Sequence, residues 1–203
     1  MRERVVRRAR KLVDVETLLF VQGALMISAG SPPPASFEPA TLDDVPVLAD
    51  LYGAGRLRIQ RTRRRRRLQR RFERGDDCFV VRGSNRAIKA AVFITSKPLR
   101  LDHYRIPVRP GPEQLYFYGV HVDRSARRRG IGEALLRGMR AAMIEQGASH
   151  AVGHISPRNP ATPHLILEKL GYQILARDTV VVLLNRFGVP IRHSVEQRSA
   201  VVS

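Results

Sequence analysis

The sequence is poor in cysteine, and its single cysteine, Cys78, has no disulfide partner within the chain. A disulfide framework and a cysteine-based zinc cluster are therefore excluded, and we expect no metal site. This cysteine usage is typical of a reducing compartment, which predicts a cytoplasmic location. No neighbouring residue marks Cys78 as a nucleophile, so we expect it to be a buried packing residue.

Lysine is also scarce, because it occupies only four of the 36 lysine and arginine positions. The formal net charge of +18 is therefore almost entirely due to arginine. Such a charge raises association rates with anionic partners and promotes nonspecific contact with nucleic acid, but it does not determine a fold. The arginine preference can also reflect coding composition.

Long apolar runs are missing too. The longest candidate, Leu18 to Ala29, is too short to span a bilayer and is interrupted by Gln22 and Gly23. Residues 1–30 form a basic segment with apolar side chains at helical spacing. Three interpretations stay open: an accessory amphipathic helix, an upstream extension before a start at Met26, or a targeting or membrane-surface segment. The three successive prolines in residues 31–36 predict a linker.

A strand, a glycine turn and a helix follow one another between Leu115 and Gly147. The strand is the apolar segment Leu115 to Val122. Apolar residues recur on one face of the helix: Ala134, Leu135, Met139, Ala142 and Met143. Amides at a helix start lack intrahelical acceptors, and glycines let a ligand approach the main chain closely. We therefore interpret the turn as a pyrophosphate-binding site.

The spacing of this turn excludes two common phosphate loops. The third glycine of dinucleotide-binding folds is missing, and so is the Gly-Lys-Ser/Thr ending of nucleotide triphosphatases. The pattern that remains, Arg127-x-x-Gly130-x-Gly132, resembles the signature of the GNAT superfamily of acyl-CoA N-acyltransferases. The segment from Asn159 to Tyr172, which ends in Glu-Lys-Leu-Gly-Tyr, resembles the second signature of that family.

The resemblance implies a mixed α/β (α+β) fold with a mostly antiparallel central sheet of about six to seven strands flanked by helices. It also implies a V-shaped splay between the strands at 115–122 and 150–155. It covers about Phe37 to Leu184. We therefore expect an N-acyltransferase domain over residues 37–184, followed by a tail over 185–203 that contains no motif.

The resemblance further implies acetyl-CoA as the acyl-donor cosubstrate, without a metal. The turn would hold the pyrophosphate of coenzyme A, and the main chain of the preceding strand would pair with the pantetheine arm. The residues assigned to coenzyme binding are Val120, His121, Val122, Arg127, Arg128, Arg129, Gly130, Ile131, Gly132 and Asn159.

The remaining elements are predicted from local patterns. Phe37 to Val45 is interpreted as the first strand and a helix start capped by Thr41 or Asp43. Residues 78–82 and 87–94 form a hairpin around a turn at 83–86. The loop from Pro98 to Pro112 contributes to the acceptor site, and His103 and Tyr104 lie within it. Residues 150–155 and 179–184 are strands, and 179–184 is expected to be the last one.

Arginines dominate the stretch Arg56 to Arg74, whose sparse apolar anchors Leu57, Leu68 and Phe72 predict a helical arm. We weigh three interpretations: a solvated face, contact with an acidic or nucleic-acid-associated acceptor, and docking of the coenzyme 3′-phosphate or another anion. Neutralisation of five adjacent arginines by a polyanion would make binding steeply salt-dependent. A homodimer is also left open.

Acetylation of an amine requires the unprotonated form. Deprotonation at neutral pH costs roughly 4 to 5 kcal/mol for lysine but only about 1 kcal/mol for an α-amine. Family members often place a base at two positions of the strand before the turn, which are Tyr116 and Tyr118 in this chain. Alternation puts both tyrosines on one face, although tyrosine is a poor base. Glu113 and His121 are alternatives, and we expect His121 to face the other way.

The proton donor for the leaving thiolate is missing from the family's usual position. Many family members have a tyrosine where this chain has Leu167, and leucine cannot donate a proton. His164, one turn earlier, and Ser156 are candidate substitutes. We expect direct attack of a primary amine on the thioester, without a covalent enzyme intermediate. The alternative is a basic nucleic-acid- or ribosome-associated module whose GNAT-like core binds coenzyme without catalysis.

Overall fold

A computed structural model describes residues 13–25, 36–53, 58–101, 104, 106–157, 161–183 and 187–195. The described strands are β1 Val13–Ala24, β2 Phe37–Pro39, β3 Asp77–Arg82, β4 Ile88–Thr95, β5 Leu99–Leu101, β6 Ile106–Val108, β7 Gln114–Val122, β8 His150–Ile155, β9 Gln173–Leu183 and β10 Phe187–Val195. The helices are α1 Val45–Leu51, α2 Arg58–Arg74, α3 Ile131–Glu145 and the short α4 Ala161–Pro163, which continues as a π-helix over His164–Lys169.

The predicted fold class is confirmed, because strands pair in antiparallel registers and helices flank them. All six strands predicted from local patterns are present, together with β1, β5, β6 and β10, which were not predicted. The predicted domain limits and the splay between residues 115–122 and 150–155 stay predictions. Within the described ranges, every helix is too short or too polar to cross a membrane.

The chain separates into two compact units. The first unit comprises the described parts of Met1–Ala24, Lys97–Gln114 and Val152–Ser203. The second unit comprises those of Leu25–Ser96 and Leu115–Ala151. The glycine turn and the strand before it belong to the second unit.

In the first unit, β1 corrects the helical interpretation of the N-terminal segment. Residues Val13–Ala24 form a strand that pairs with β9 along its length. Val13, Val15 and Thr17 alternate with acidic residues, which is the period of a strand, and a buried run of apolar residues follows. The helical spacing over the longer window hid this shorter alternation.

Two further expectations for the first unit are wrong. Strand β10 follows β9 and pairs with its other edge, so β9 is not the last strand. The segment between Pro98 and Pro112 contains the short β5–β6 hairpin instead of being only a loop. Within it, the Tyr104 hydroxyl lies 2.9 Å from a carboxylate oxygen of Glu16 on β1. His103 lies outside the described residues.

In the second unit, β2, β3, β4 and β7 are neighbours in that order, and helices cover both faces. Helix α3 buries Leu135, Leu136, Met139 and Met143, and Ala134 remains partly exposed. Gly138 allows α3 to approach β2 closely, since a Cβ there would lie 2.5 Å from the Phe37 ring. Helices α1 and α2 cover the opposite face, where the Phe72 ring lies 5.7 Å from that of Phe93.

The hairpin and the first helix start form as predicted. Arg86 adopts a left-handed conformation in the turn between β3 and β4, and the Arg86 amide donates to the Gly83 carbonyl at 2.8 Å. Thr41, one of the two predicted caps, is the N-cap of the 3-10 turn Leu42–Asp44 that leads into the first helix, and its amide donates to the Asp44 carboxylate at 3.0 Å. Cys78 is buried as expected, and burial raises the pKa of its thiol far above the usual range.

Candidate active site

The glycine turn after β7 exposes backbone amides at the start of α3. Ala134 makes the first intrahelical bond of α3, donating to the Gly130 carbonyl at 2.9 Å. The amides of residues 131–133 therefore have no acceptor four residues earlier in the helix. Gly130 is left-handed at φ 74°, and a Cβ built there meets no atom within 4 Å. The turn can therefore admit an anionic group close to the main chain.

Cations surround this turn, and its start is held in place. Arg127, Arg128 and Arg129 are exposed, and Arg128 has a left-handed φ of 59°. The Asp123 carboxylate accepts the Ser125 amide at 2.8 Å, which stabilises the short 3-10 turn over residues 124–126. A groove of about 480 Å³ lies beside the turn and is lined in part by Arg129, Lys89 and Asn85.

A β-bulge interrupts β7 two residues before its end. Tyr118 pairs with Phe93 of β4, but the next matched pair is His121 with Ala91. Gly119 and Val120 therefore both lie opposite Val92. Gly119 has φ 63°, a conformation that glycine adopts without strain.

The bulge reverses the expected orientation of His121. In an uninterrupted strand, His121 and Tyr118 would point to opposite faces, because they are three residues apart. The extra residue shifts the alternation, so both side chains point to the face covered by α1 and α2. The Tyr52 ring at the end of α1 lies 5.4 Å from the His121 ring and 6.3 Å from the Phe93 ring. The expectation that His121 faces the other way is wrong.

These side chains form what we call the aromatic face, consisting of Tyr52, Arg71, Phe93, Tyr118 and His121. The Tyr52 hydroxyl donates to the carbonyl of Gly119 and so fixes α1 to the bulge. His121 is half-buried, and its pKa is lowered mainly by burial and further by the positive charge of Arg127. The imidazole is therefore neutral at pH 7 and can accept a proton.

Tyr116 and Tyr118 do lie on one face, as predicted, with ring centroids 6.3 Å apart. However, Tyr116 is 0% exposed and Tyr118 is 5% exposed. Burial raises the pKa of both hydroxyls far above the usual range. Tyr118 also donates its hydroxyl hydrogen to buried Asp76, and Arg74 donates to both residues. These tyrosines are unsuited to accept a proton from a substrate.

The other predicted site residues lie elsewhere or outside the described residues. His164 belongs to the first unit, where its exposed imidazole lies 2.7 Å from a Glu168 carboxylate oxygen. Glu113 also belongs to the first unit and is exposed. Asn159 is outside the described residues. Val120 is exposed, and the Val122 carbonyl accepts a hydrogen bond from Arg127 at 3.2 Å.

The arginine-rich stretch is helical over Arg58–Arg74, as predicted. Its inner side carries the buried anchor Leu68, and most of the arginines on the other sides are exposed. Sequence reasoning missed Tyr52 and Arg71 as parts of the aromatic face. The only local signal for their position was helical spacing, since Tyr52 continues the apolar side of α1 and Arg71 adjoins Phe72.

Comparisons with known proteins support the fold. A search of curated proteins found no match. Among solved structures, the chain is similar to a GNAT-family protein from Novosphingobium aromaticivorans, with 19% identity over 85% of this chain and 65% of the other, and a TM-score of 0.57. It is also similar to an acetyltransferase from the GNAT family of Colwellia psychrerythraea, with 14% identity over 84% of this chain and 56% of the other, and a TM-score of 0.59.

Both likenesses show the fold alone, and the chain spans 65% and 56% of the lengths of these proteins. A nucleic-acid partner and a homodimer gain no support from the comparisons. The model of the acetyltransferase (GNAT) family matches residues 50–172, which is more than half of the chain and contains both the glycine turn and the aromatic face. The protein therefore belongs to the GNAT acetyltransferase family.

Proposed function

We propose that this protein is an N-acetyltransferase, which transfers an acetyl group from acetyl-CoA to a primary amine by direct attack of the amine. One observation carries the proposal: a neutral histidine on a bulged strand is followed within ten residues by an open, cationic glycine turn at a helix start. Membership of the family supports acyl transfer in general, and these local features favour the more specific reaction.

The glycine turn suits the pyrophosphate of coenzyme A. The amides of residues 131–133 would donate to it, and Arg128 and Arg129 would balance its charge. The open space at Gly130 is compatible with close approach of such a group. The main chain of Val120 and Val122 would pair with the pantetheine arm, as the family implies, and Asn159 would assist. When bound, acetyl-CoA supplies an activated thioester.

His121 is the best candidate for the general base, in preference to Tyr116 and Tyr118. It would accept the amine proton as the C–N bond forms and the thioester C–S bond breaks, with the electron pair leaving on sulfur. A histidine whose pKa is lowered is poorly matched to lysine, whose pKa is near 10.4, and better matched to an α-amine near 8. We therefore favour a weakly basic acceptor amine.

No enzyme nucleophile is required for this reaction. Cys78 is buried on β3, and its raised pKa keeps it a thiol. His164 as proton donor to the leaving thiolate stays a prediction, because it lies in the first unit. Cytoplasmic location stays a prediction as well.

The proposal is tested by acetyl-CoA consumption over a panel of amines that includes peptides with free N-termini, polyamines, antibiotics and ribosomal proteins. We expect turnover with at least one weakly basic amine, and we expect Gly132→Glu to abolish it because a carboxylate would occupy the anion site. Arg137→Gln is the control, since it makes the same change in net charge at an exposed position of α3. Turnover that survives in Gly132→Glu would refute the assigned turn.

A further inference from the structure

Among the α2 side chains that the structure describes, four arginines interact with the body of the second unit, and one of them differs from the others. Arg61 pairs with Asp50 at 2.8 Å, Arg64 donates to the Ala49 carbonyl at 3.2 Å, and Arg74 pairs with buried Asp76. The Arg71 guanidinium makes no hydrogen bond or ion pair with any described residue, and it lies over two aromatic rings. Three of the four cations are thus matched by oxygen acceptors, and the fourth is not.

Arg71 is held in place by the faces of two rings. Its guanidinium carbon lies 4.9 Å from the ring centroid of Phe93 and 4.8 Å from that of Tyr118. Cation–π contacts of this kind attract the guanidinium to the ring faces and need no oxygen acceptor for its N–H groups. The side chain is therefore oriented without using its hydrogen-bond donors.

One end of the Arg71 guanidinium lies at the bulge. A Cβ built on Gly119 would be 3.2 Å from Arg71 Nη1 and 3.4 Å from the Tyr52 hydroxyl oxygen. Tyr52 in turn lies against His121. The guanidinium is thus placed on the same face as the proposed base, close to the point where the strand alternation changes.

Arginines on the solvent side of the same helix provide a contrast. Arg63, Arg66, Arg67 and Arg70 recur at helical spacing opposite Leu68 and are exposed. Water can solvate these side chains, so they need no partner. Arg71 is only partly exposed, and a cation partly withdrawn from water is stabilised by an anion that accepts two parallel N–H bonds.

We propose that Arg71 binds a carboxylate of the substrate beside the Gly119 bulge. This inference rests on the proposed function and narrows its substrate class. The carboxylate can belong to the amine acceptor, as in an amino acid or a peptide C-terminus, or to a dicarboxylic acyl group on coenzyme A. Planar, bidentate recognition by a preoriented guanidinium is the chemistry common to both.

Calorimetric titration separates the two sources. One arm compares amino acids and dipeptides with their C-terminal amides, and the other compares succinyl-CoA with acetyl-CoA. We expect wild-type protein to bind the carboxylate member of one arm at least tenfold more tightly. Arg71→Gln should remove that preference, whereas Arg67→Gln, which makes the same charge change on the solvent side of α2, should retain it.

Thermal melting of each variant checks folding. If Arg71→Gln does not melt cooperatively, Arg71→Lys replaces it, and the preference should fall at least threefold because lysine lacks the planar fork. No carboxylate preference in either arm, or a preference that persists without Arg71, would overturn the inference. Acetyl-CoA binding by the wild-type protein distinguishes failure of the Arg71 inference from failure of the proposed function. If acetyl-CoA binds and no carboxylate preference is found, only the role of Arg71 is refuted. If acetyl-CoA does not bind, the proposed function is refuted.

Discussion

The glycine turn and the aromatic face occupy the same unit but are built in different ways. The turn is one continuous segment, residues 123–132, and it is mostly exposed, cationic and shaped by backbone conformation. The aromatic face is assembled from α1, α2, β4 and β7, and it is shaped by ring packing and by one bulge. Under the proposed function, donor binding depends on local main-chain geometry, whereas acceptor chemistry depends on tertiary packing.

The largest expected effect comes from removing the proposed base from the aromatic face. His121→Gln should lower kcat by at least about 100-fold, because general base catalysis typically contributes 10²–10⁴-fold. Steady-state kinetics with a responsive amine provides the measurement. His150→Gln is the control, since His150 is also a partly buried strand residue that belongs to the second unit. A near wild-type kcat in His121→Gln would show that His121 is not the general base.

The difference between the local glycine turn and the assembled aromatic face also explains which parts of the site could be predicted from the sequence. Gly130 directly precedes α3 and Gly132 lies in its first turn, so the glycine turn is visible in a window of about twenty residues. The orientation of His121 could not be obtained that way, because alternation gives the wrong face unless the bulge is known. The bulge depends on the register between β4 and β7, which is a pairing of distant segments.

The fold likewise contains elements that a local signal predicts and elements that depend on distant strand pairing. The hairpin of β3 and β4 has a local turn signal at Gly83 to Arg86, and the structure confirms it. Strand β1 lacks such a signal and pairs with β9, more than 150 residues later in the chain. Its hydrophobic pattern satisfied a helical period over a long window and a strand period over a short one. Tertiary pairing selected the strand.

A smaller effect is expected from a methyl group at the bulge. Gly119→Ala should destabilise the protein by about 1 to 2 kcal/mol, because its φ is positive and the new Cβ would crowd Arg71 and the Tyr52 hydroxyl. Gly147→Ala is the matched control: its φ is also positive, but no atom lies within 4 Å of its built Cβ. Urea unfolding should show the larger loss for Gly119→Ala. Equal losses would mean that the bulge is not crowded.

The smallest expected effect is the influence of the Arg127 charge, in the glycine turn, on the pKa of His121, on the aromatic face. Because burial and Arg127 both lower the pKa of His121, the acid limb of kcat/KM should have its midpoint below pH 6.5. Arg127→Gln removes one of these causes, so the pKa should rise and the midpoint should move to higher pH, by less than about one pH unit. Arg124→Gln removes a charge from the same turn and should leave the midpoint in place. A midpoint that moves to lower pH in Arg127→Gln would contradict this electrostatic coupling.

The division between donor turn and aromatic face is tested most directly by titrating acetyl-CoA into two variants by calorimetry. We predict that Gly132→Glu, in the turn, loses binding by at least about 100-fold. His121→Gln, on the aromatic face, should bind within about threefold of wild type, because its main chain and the turn are unchanged. Wild-type affinity in Gly132→Glu, or loss of binding in both variants, would contradict the account.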